Sequence, residues 1–349
     1  MTNVLSVDVL NLTGAELRKQ FKNFSLESYR ADQVHQWIYE KGVYNFDQMT
    51  NLSVTLRETL KKNFKIGMPE IVEKQLSEGD KSVKLLLKLA SGDLVEAVQM
   101  QVETRRTVCI SSQVGCKFRC AFCASGQAGF FRNLSMGEIV AQILAARDQD
   151  PDKKLTNIVF MGIGEPFDNY IEMMRTIRQL NSKNGLGLGA RRITISTCGI
   201  IPKIEQLAEE GLQVELSVSL HGHNDSVRGS IMPVNKAFPV KTLIEACKKY
   251  VKKTKRSITF EYILVQGINA GVKEAEGLGR LLRGMLCKVN LIPYNPIAEF
   301  PHEAPSYPEV VAFQQTLQGY GVKTTVRFSK GQDIQAACGQ LRSVKVKNT

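Results

Sequence analysis

The first feature of this 349-residue chain that could do chemistry is a run of four cysteines. The segment "CISSQVGCKFRCAFCASG" (109–126) holds Cys109, Cys116, Cys120 and Cys123. The last three have the spacing C-x3-C-x2-C. Cysteine thiolates are the usual ligands of iron–sulfur clusters, and three of them leave one iron of a 4Fe-4S cube without a protein ligand. Such an open iron can bind a substrate or a cofactor directly.

Zinc is the main alternative metal for this run. Three thiolates together with a histidine or Cys109 could form a tetrahedral zinc site. However, no histidine lies near the run, and the chain has no second short pair of cysteines of the kind that structural zinc sites use. The other cysteines are scattered and, taken alone, predict small packing residues: Cys198, Cys247, Cys287 and Cys338. The spacing therefore favours a cluster of the radical S-adenosylmethionine (SAM) type.

A second segment, "NIVFMGIGEPFDN" (157–169), supports a SAM site. It predicts an apolar strand followed by a glycine turn and an acid, Gly164 and Glu165. Glycine allows the backbone to approach a ligand closely, and a carboxylate at a strand end can accept hydrogen bonds from the ammonium group of SAM. The helix between the two segments begins with Ser135-x-x-Glu138, a capping box that we interpret as structural.

The charge and the composition limit the function classes. The chain has 46 Lys and Arg against 34 Asp and Glu, a net charge of +12, which fits a polyanionic partner such as nucleic acid. The basic runs "KKYVKKTKR" (248–256) and "RSVKVK" (342–347) are either parts of that surface or solvated faces. No stretch approaches the roughly 18 apolar residues of a membrane span, and no secretory signal is evident. We therefore expect a cytoplasmic protein without membrane contact, in which clustered cysteines bind metal.

The hydrophobic periodicity predicts three regions. Residues 1–66 read as a small helical accessory domain, in which "SLESYRADQVHQWIYEKG" offers Ser25 as a helix start and Gly42 as a stop. Residues 67–100 form a β-rich linker. Residues 101–349 alternate strands and helices, with helices near 135–147, 170–182, 202–210, 239–253, 273–285 and 307–319. This alternation predicts an α/β fold with a parallel sheet, as a partial (β/α)6 TIM-like barrel with its ligands at the carboxyl ends of the strands.

These segments resemble the radical SAM adenine methyltransferases of the RlmN/Cfr family over nearly the whole chain. The resemblance rests on long, ordered motifs: "CISSQVGCKFRCAFCASGQAGF", "FMGIGEP", "RRITISTCGI", "LSVSLHGHND", "IMPVNK", "VNLIPYNP" and "GQDIQAACGQL". The resemblance implies a 4Fe-4S cluster on Cys116, Cys120 and Cys123, and two SAM molecules per turnover. It also implies SAM contacts from seven positions at the strand ends: Gly164, Glu165, Ser196, Ser219, Leu220, His221 and Asn295.

The resemblance further implies how the work is divided between two more cysteines. Cys338 would be methylated by the first SAM, and its methyl group would then be transferred as a carbon radical to the adenine. Cys109 would release the product by closing a transient disulfide with Cys338. Glu96 would act as a proton acceptor, although on its own it reads as a charge on the solvent face of a strand. The side chain of His221 is equally compatible with a structural role.

The family also implies partners. Its substrates are adenosine 2503 of 23S rRNA and adenosine 37 of some tRNAs, methylated at C2, and a flavodoxin-type donor supplies electrons to an enzyme that we expect to be monomeric. The accessory domain and the two basic runs are candidate RNA surfaces. Two alternatives stay open: Cfr-type methylation at C8 of the same rRNA adenosine, and a noncatalytic RNA-binding protein stabilised by zinc.

Overall fold

Fourteen strands and eleven α-helices make up the part of the chain that the computed structural model describes, residues 6–342. The strands are β1 (Val7–Asp8), β2 (Phe64–Lys65), β3 (Glu70–Leu76), β4 (Val83–Lys88), β5 (Leu94–Val102), β6 (Arg105–Cys109), β7 (Gln113–Gly115), β8 (Phe130–Asn133), β9 (Asn157–Phe160), β10 (Ile193–Thr197), β11 (Glu215–Ser219), β12 (Ile258–Leu264), β13 (Cys287–Pro293) and β14 (Lys323–Val326). The helices are α1 (Gly14–Asn23), α2 (Arg30–Tyr39), α3 (Val54–Asn63), α4 (Ala124–Gln127), α5 (Met136–Arg147), α6 (Tyr170–Asn181), α7 (Ile201–Glu209), α8 (Asp225–Ile231), α9 (Val240–Thr254), α10 (Val272–Leu282) and α11 (Tyr307–Gly319).

Ten of these strands form one sheet in the order β14-β13-β12-β11-β10-β9-β6-β5-β4-β3. The pairs from β14 to β6 are parallel, whereas β6, β5, β4 and β3 are joined by antiparallel pairs. The predicted α/β fold with a parallel-rich sheet is therefore confirmed. Six of the parallel strands follow the cysteine loop as expected, and β6 adds a seventh before it. The sheet stays open among the described residues, with β14 and β3 at its edges.

The parallel strands are covered on both faces, which explains their apolar sequences. All seven residues of β12 are buried. In β10 the burial alternates, so that Ile193, Ile195 and Thr197 are buried while Thr194 and Ser196 are half-buried. A half-buried serine near the carboxyl end of a parallel strand lies where this architecture places ligands.

The helices at the amino end differ in one boundary from the sequence prediction. α1 begins with a capping box between Thr13 and Glu16. α2 begins only at Arg30, so the predicted start at Ser25 is wrong. Ser25 has φ +57° and its N–H donates to the carbonyl oxygen of Lys22, which places it in the turn that closes α1. The predicted capping box of Ser135, at the start of α5, is present.

Helix α5 joins the amino-terminal helices to the sheet. Its residues Met136, Val140 and Leu144 belong to the apolar cluster of α1–α3, whereas Ile139 and Ile143 belong to the core of the sheet. A helix that is apolar on all sides is expected to be buried between two layers, and every residue of α5 is buried except Glu138. No helix within residues 6–342 is both long and apolar enough to span a bilayer.

Candidate active site

A group of reactive side chains surrounds a cavity of about 890 Å³, open to solvent, at the carboxyl ends of the parallel strands. The three cysteines of the C-x3-C-x2-C run line it: Cys116, Cys120 and Cys123. Glu165 from the end of β9 and Cys338 from the carboxyl-terminal segment line the same cavity. The structure therefore brings the cluster motif, the glycine–glutamate turn and the last cysteine of the chain together.

Backbone hydrogen bonds fix the cysteine loop between distant parts of the chain. The N–H of Cys116 donates to the carbonyl oxygen of Gly129 at 2.8 Å, beside the antiparallel pair β7–β8. The N–H of Ala124, next to Cys123, donates to the carbonyl oxygen of Gly339 at 2.7 Å. The loop is thus held directly against the segment that carries Cys338.

The donor set of this loop fits a 4Fe-4S cluster with one open iron. Burial raises the pKa of Cys120 far above its usual range, and the neighbouring thiols of Cys123 and Cys116 raise it further, so the three sulfurs interact. All three sulfur-bearing side chains line one cavity. A cube, in which three of the irons each take one thiolate, fits this donor set.

The turn after β9 has a backbone that only glycine adopts readily. Gly164 has φ +102°, and a Cβ at this position would lie 2.6 Å from Cβ of Gln113. Glu165 follows it and is 4% exposed. Its Oε1 accepts from the N–H of Phe167 at 3.0 Å and its Oε2 from the N–H of Cys198 at 2.7 Å. Burial raises the pKa of Glu165, and these bonds oppose the rise. The carboxylate keeps acceptor capacity towards the cavity, which suits an ammonium group.

Three of the other predicted SAM contacts also line this cavity: Ser196, Ser219 and His221. His221 has φ +53°, and its Nδ1 accepts from the N–H of Ile263 at 3.0 Å. Burial lowers the pKa of His221 to about 3, so the ring is neutral. Its Nδ1 is therefore committed to the fold, while the ring packs at 86° against the ring of Phe122, which lies within the cysteine loop.

The two remaining predicted contacts, Leu220 and Asn295, do not line the cavity. Leu220 is fully buried in the core of the sheet. Asn295 is 1% exposed, and its Nδ2 donates to Oγ of Ser329 at 2.8 Å and to the carbonyl oxygen of Cys338 at 3.1 Å. Its Oδ1 accepts from Nε2 of Gln332 at 2.8 Å. All polar atoms of the Asn295 side chain thus hold the carboxyl-terminal segment in this state.

A second cavity of about 530 Å³ adjoins the first, and Cys338 lines both. Cys109 lines only the second. Burial raises the pKa of both thiols, to about 12 for Cys109, while the guanidinium of Arg327 opposes the rise. The neighbouring thiol of Cys338 raises the pKa of Cys109 further. Cys338 therefore lies between the three cluster cysteines and Cys109.

Glu96 lies under the carboxyl-terminal segment and lines neither cavity. It is 9% exposed, so its interpretation as a charge on a solvent face is wrong. Oε1 of Glu96 lies 3.4 Å from Nζ of Lys84, and Oε2 accepts from the N–H of Arg342 at 2.8 Å. Burial raises the pKa of Glu96 despite both contacts.

Sequence reasoning missed two charged residues of the site, Arg327 and Glu261. Arg327 follows β14 and lines both cavities. Glu261 lies within β12, and its Oε1 accepts from Ser217 and Asn290 while its Oε2 has no partner among the described residues. A glutamate inside an otherwise apolar strand and an arginine directly after one were the available signals. Cys198, which we had interpreted as packing, also borders the cavity.

Three of the six basic residues in the run 248–256 pair with neighbouring acids. Lys249 and Lys253 pair with Glu205 and Glu209 of α7, and Arg256 pairs with Glu215. This run is therefore a weaker candidate for an RNA surface than its sequence indicates. Most of the second basic run, 343–347, lies outside the described residues.

The sheet, the three-cysteine loop and the acidic turn define a radical SAM enzyme. A profile described as "Radical SAM superfamily" matches residues 110–275, and one described as "Ribosomal RNA large subunit methyltransferase N-terminal domain" matches residues 7–66. The chain belongs to the RlmN family of radical SAM RNA methyltransferases. It is 46% identical over 342 residues to a probable dual-specificity RNA methyltransferase RlmN of Clostridium tetani, covering 98% of this chain and 97% of that protein.

Two further relatives agree with this assignment. A probable dual-specificity RNA methyltransferase RlmN of Thermoanaerobacter sp. is 47% identical over 332 residues, which cover 95% of this chain and 96% of the relative. The crystal structure of a radical SAM methyltransferase from Sphaerobacter thermophilus superimposes with a TM-score of 0.93 at 45% identity, covering 96% of this chain and 99% of that one. The resemblance to the family is thus confirmed.

Proposed function

We propose that this RNA methyltransferase methylates C2 of adenosine 2503 in 23S rRNA and of adenosine 37 in tRNA, consuming two SAM molecules per turnover through a methylated Cys338. The observation that carries the proposal is that Cys338 lines both the cavity of the three cluster cysteines and the cavity of Cys109. A methyl carrier must meet the radical source on one side and the thiol that releases the product on the other.

The target atom explains why the enzyme needs such a site. Adenine C2 lies between two ring nitrogens, is electron-poor and has no lone pair with which to attack the methyl group of SAM. A carbon radical can add to this carbon instead. When bound, the cluster and SAM supply the one-electron chemistry that generates such a radical. Cys116, Cys120 and Cys123 would hold the cluster, and Glu165 with Ser196 and Ser219 would hold SAM.

The protein's own residues then carry the methyl group. The thiolate is the nucleophilic form of Cys338, and the guanidinium of Arg327 favours it by lowering its pKa. Once the carbon is attached to the base, the sulfur of Cys109 bonds to the sulfur of Cys338 and the C–S bond of the tether breaks. The electron pair of that bond leaves with the base, which takes up a proton at the methyl carbon. Before this, Glu96 would accept the proton lost from C2, and the oxidised cluster held by Cys116, Cys120 and Cys123 would be the acceptor for the one electron that leaves the ring radical.

The other regions of the chain would bind RNA and connect it to the catalytic site. Residues 1–66 would bind RNA as an accessory domain, 67–100 would connect it, and 101–349 would form the catalytic unit. The net charge of +12 would attract RNA in a salt-dependent way. A flavodoxin-type donor would supply the electrons, including the two that reopen the Cys109–Cys338 disulfide after each turnover. The enzyme would work as a monomer in the cytoplasm.

The methylated nucleoside tests the proposal directly. Anaerobically reconstituted enzyme is incubated with SAM, a reductant and an rRNA hairpin or tRNA that contains the target, and the digested nucleosides are identified by mass spectrometry against standards. We expect 2-methyladenosine from the wild-type enzyme and none from Cys338→Ala with a full cluster. 8-Methyladenosine would assign the Cfr-type reaction instead. No methylated adenosine from either RNA, with an intact cluster that cleaves SAM, would overturn the proposal.

A further inference from the structure

Two exposed aromatic rings stack on each other beside the second cavity. The ring centroids of Tyr307 and Phe328 are 6.4 Å apart, with an angle of 24° between the ring planes. Tyr307 is 67% exposed and Phe328 is 59% exposed. Most of each ring thus remains in water, so the pair contributes little to the core. Pairs of large aromatic rings left in solvent are typical of binding surfaces rather than of packing.

The chain around Phe328 connects this pair to the reactive cysteines. Phe328 lines the second cavity together with Cys338 and Cys109. It directly follows Arg327, whose guanidinium acts on both thiols. Lys330, two residues further on, is exposed and lines the same cavity. One short segment therefore supplies the guanidinium near the reactive thiols, an exposed aromatic ring and an exposed positive charge.

These groups match the chemistry of an unpaired nucleotide. Single-stranded RNA bases stack on exposed aromatic side chains, and cationic side chains contact the adjoining phosphates. A target base within folded RNA must leave its stack before it can react, which leaves its neighbours without a partner. We propose that Tyr307 and Phe328 form a stacking platform for an unpaired base that flanks the target adenosine, with Lys330 contacting the backbone. This inference rests on the proposed function for the identity of the adenosine alone.

The platform is tested by a binding signal that does not depend on methylation. The target hairpin is made with the fluorescent base 2-aminopurine next to the target adenosine, because stacking quenches its emission. Holoenzyme is titrated with this RNA, and the dissociation constant and quenching are recorded. Phe328→Leu keeps a similar apolar volume without an aromatic face, and Phe328→Tyr keeps the face. Leu286→Ala removes an equally exposed apolar side chain, 56% exposed, at the opposite end of β13.

We expect the wild-type enzyme, Phe328→Tyr and Leu286→Ala to quench the probe. Phe328→Leu should lose most of the quenching and weaken RNA binding about 5- to 100-fold, the range that loss of one base stack gives. Its cluster content and KM for SAM should stay unchanged, and Tyr307→Leu should act in the same direction. Quenching without methylation by the wild-type enzyme would refute the proposed function and leave the platform standing.

Three outcomes would overturn the platform. The first is wild-type holoenzyme that binds the RNA without quenching the probe or does not bind it. The second is unchanged affinity and quenching in both leucine variants. The third is a change in sedimentation of Phe328→Leu without a change in RNA binding, which would assign the rings to contact with a second copy of the chain.

Discussion

Asn295 donates a hydrogen bond from its Nδ2 to the carbonyl oxygen of Cys338 at 3.1 Å, which ties the end of the chain to the loop after β13. Its other bonds go to Ser329 and Gln332, so one buried amide connects three points of the segment. The position that the family resemblance assigns to SAM therefore also holds the backbone of Cys338. SAM and the Cys338 segment would compete for this amide.

Loss of this amide should displace Cys338 without removing the cluster. Asn295→Ala leaves buried partners unsatisfied, each at a cost of about 1–3 kcal/mol. We expect wild-type iron content and a methylation rate of Cys338, measured by intact mass, that falls on the order of 10- to 100-fold. Gln332→Ala removes only one of the three contacts and should lose much less. Methylation of Cys338 at the wild-type rate in Asn295→Ala would show that the amide does not position Cys338.

Arg327 should set the reactivity of Cys338. Burial raises the pKa of Cys338 and Arg327 lowers it, so loss of the guanidinium leaves less thiolate at any given pH. Arg327→Met should slow alkylation of Cys338 by iodoacetamide about 10- to 100-fold near pH 8, because less of the thiol is in the thiolate form that reacts. The pH dependence of the alkylation rate should shift to higher pH, because a thiol with a higher pKa loses its proton at higher pH. Arg327→Lys keeps the charge and serves as control. An unchanged profile in Arg327→Met would contradict the assignment.

Glu96 can be tested as a proton acceptor apart from its structural bond. Glu96→Gln keeps an oxygen for the N–H of Arg342 and loses the basic carboxylate. We expect normal methylation of Cys338 and a loss of RNA methylation of about 100-fold or more, typical of removing a general base. Lys84→Met, which breaks only the ion pair with Glu96, should retain most activity. Near-wild-type turnover of Glu96→Gln would reduce Glu96 to an anchor of the carboxyl-terminal segment.

The cluster should require the three cavity cysteines and should not require Cys247. Replacing Cys116, Cys120 or Cys123 by Ala removes one ligand, and we expect iron and sulfide near background after anaerobic reconstitution and no SAM cleavage. Cys247 is fully buried in the core of the sheet, away from the cavity, so Cys247→Ala should keep a full cluster. A normal brown cluster in Cys120→Ala, or zinc in the anaerobic wild-type protein, would argue against the assigned ligands.

Local patterns predicted most of the fold and the centre of the site. The alternation of apolar strands with helices of seven to fifteen residues is a local property, and so are the spacing of the cysteines and the turn at Gly164. These features could be predicted because each depends on residues that lie close together in the sequence. The error at Ser25 has a local cause of another kind: serine both starts helices and occupies turns, and here the left-handed turn after α1 prevailed.

Contacts between distant segments could not be predicted in this way. Glu96 reads as a surface charge until the chain returns 246 residues later to place Arg342 over it. Arg327 becomes part of the site only because β14 pairs with β13 and directs the following residues towards Cys338. Burial of a polar group depends on which segments cover it, and the sequence of a single strand does not contain that information.

We propose above that Cys338 carries the methyl carbon to the base and that Cys109 releases it. The most direct test of this proposal is anaerobic incubation of Cys109→Ala with SAM, a reductant and the target RNA, followed by denaturing electrophoresis and mass spectrometry of the nuclease- and protease-digested protein. We expect an accumulated protein–RNA adduct attached through Cys338, which is absent from the double variant that also carries Cys338→Ala. Free methylated RNA formed over many turnovers by Cys109→Ala, without an adduct, would contradict it.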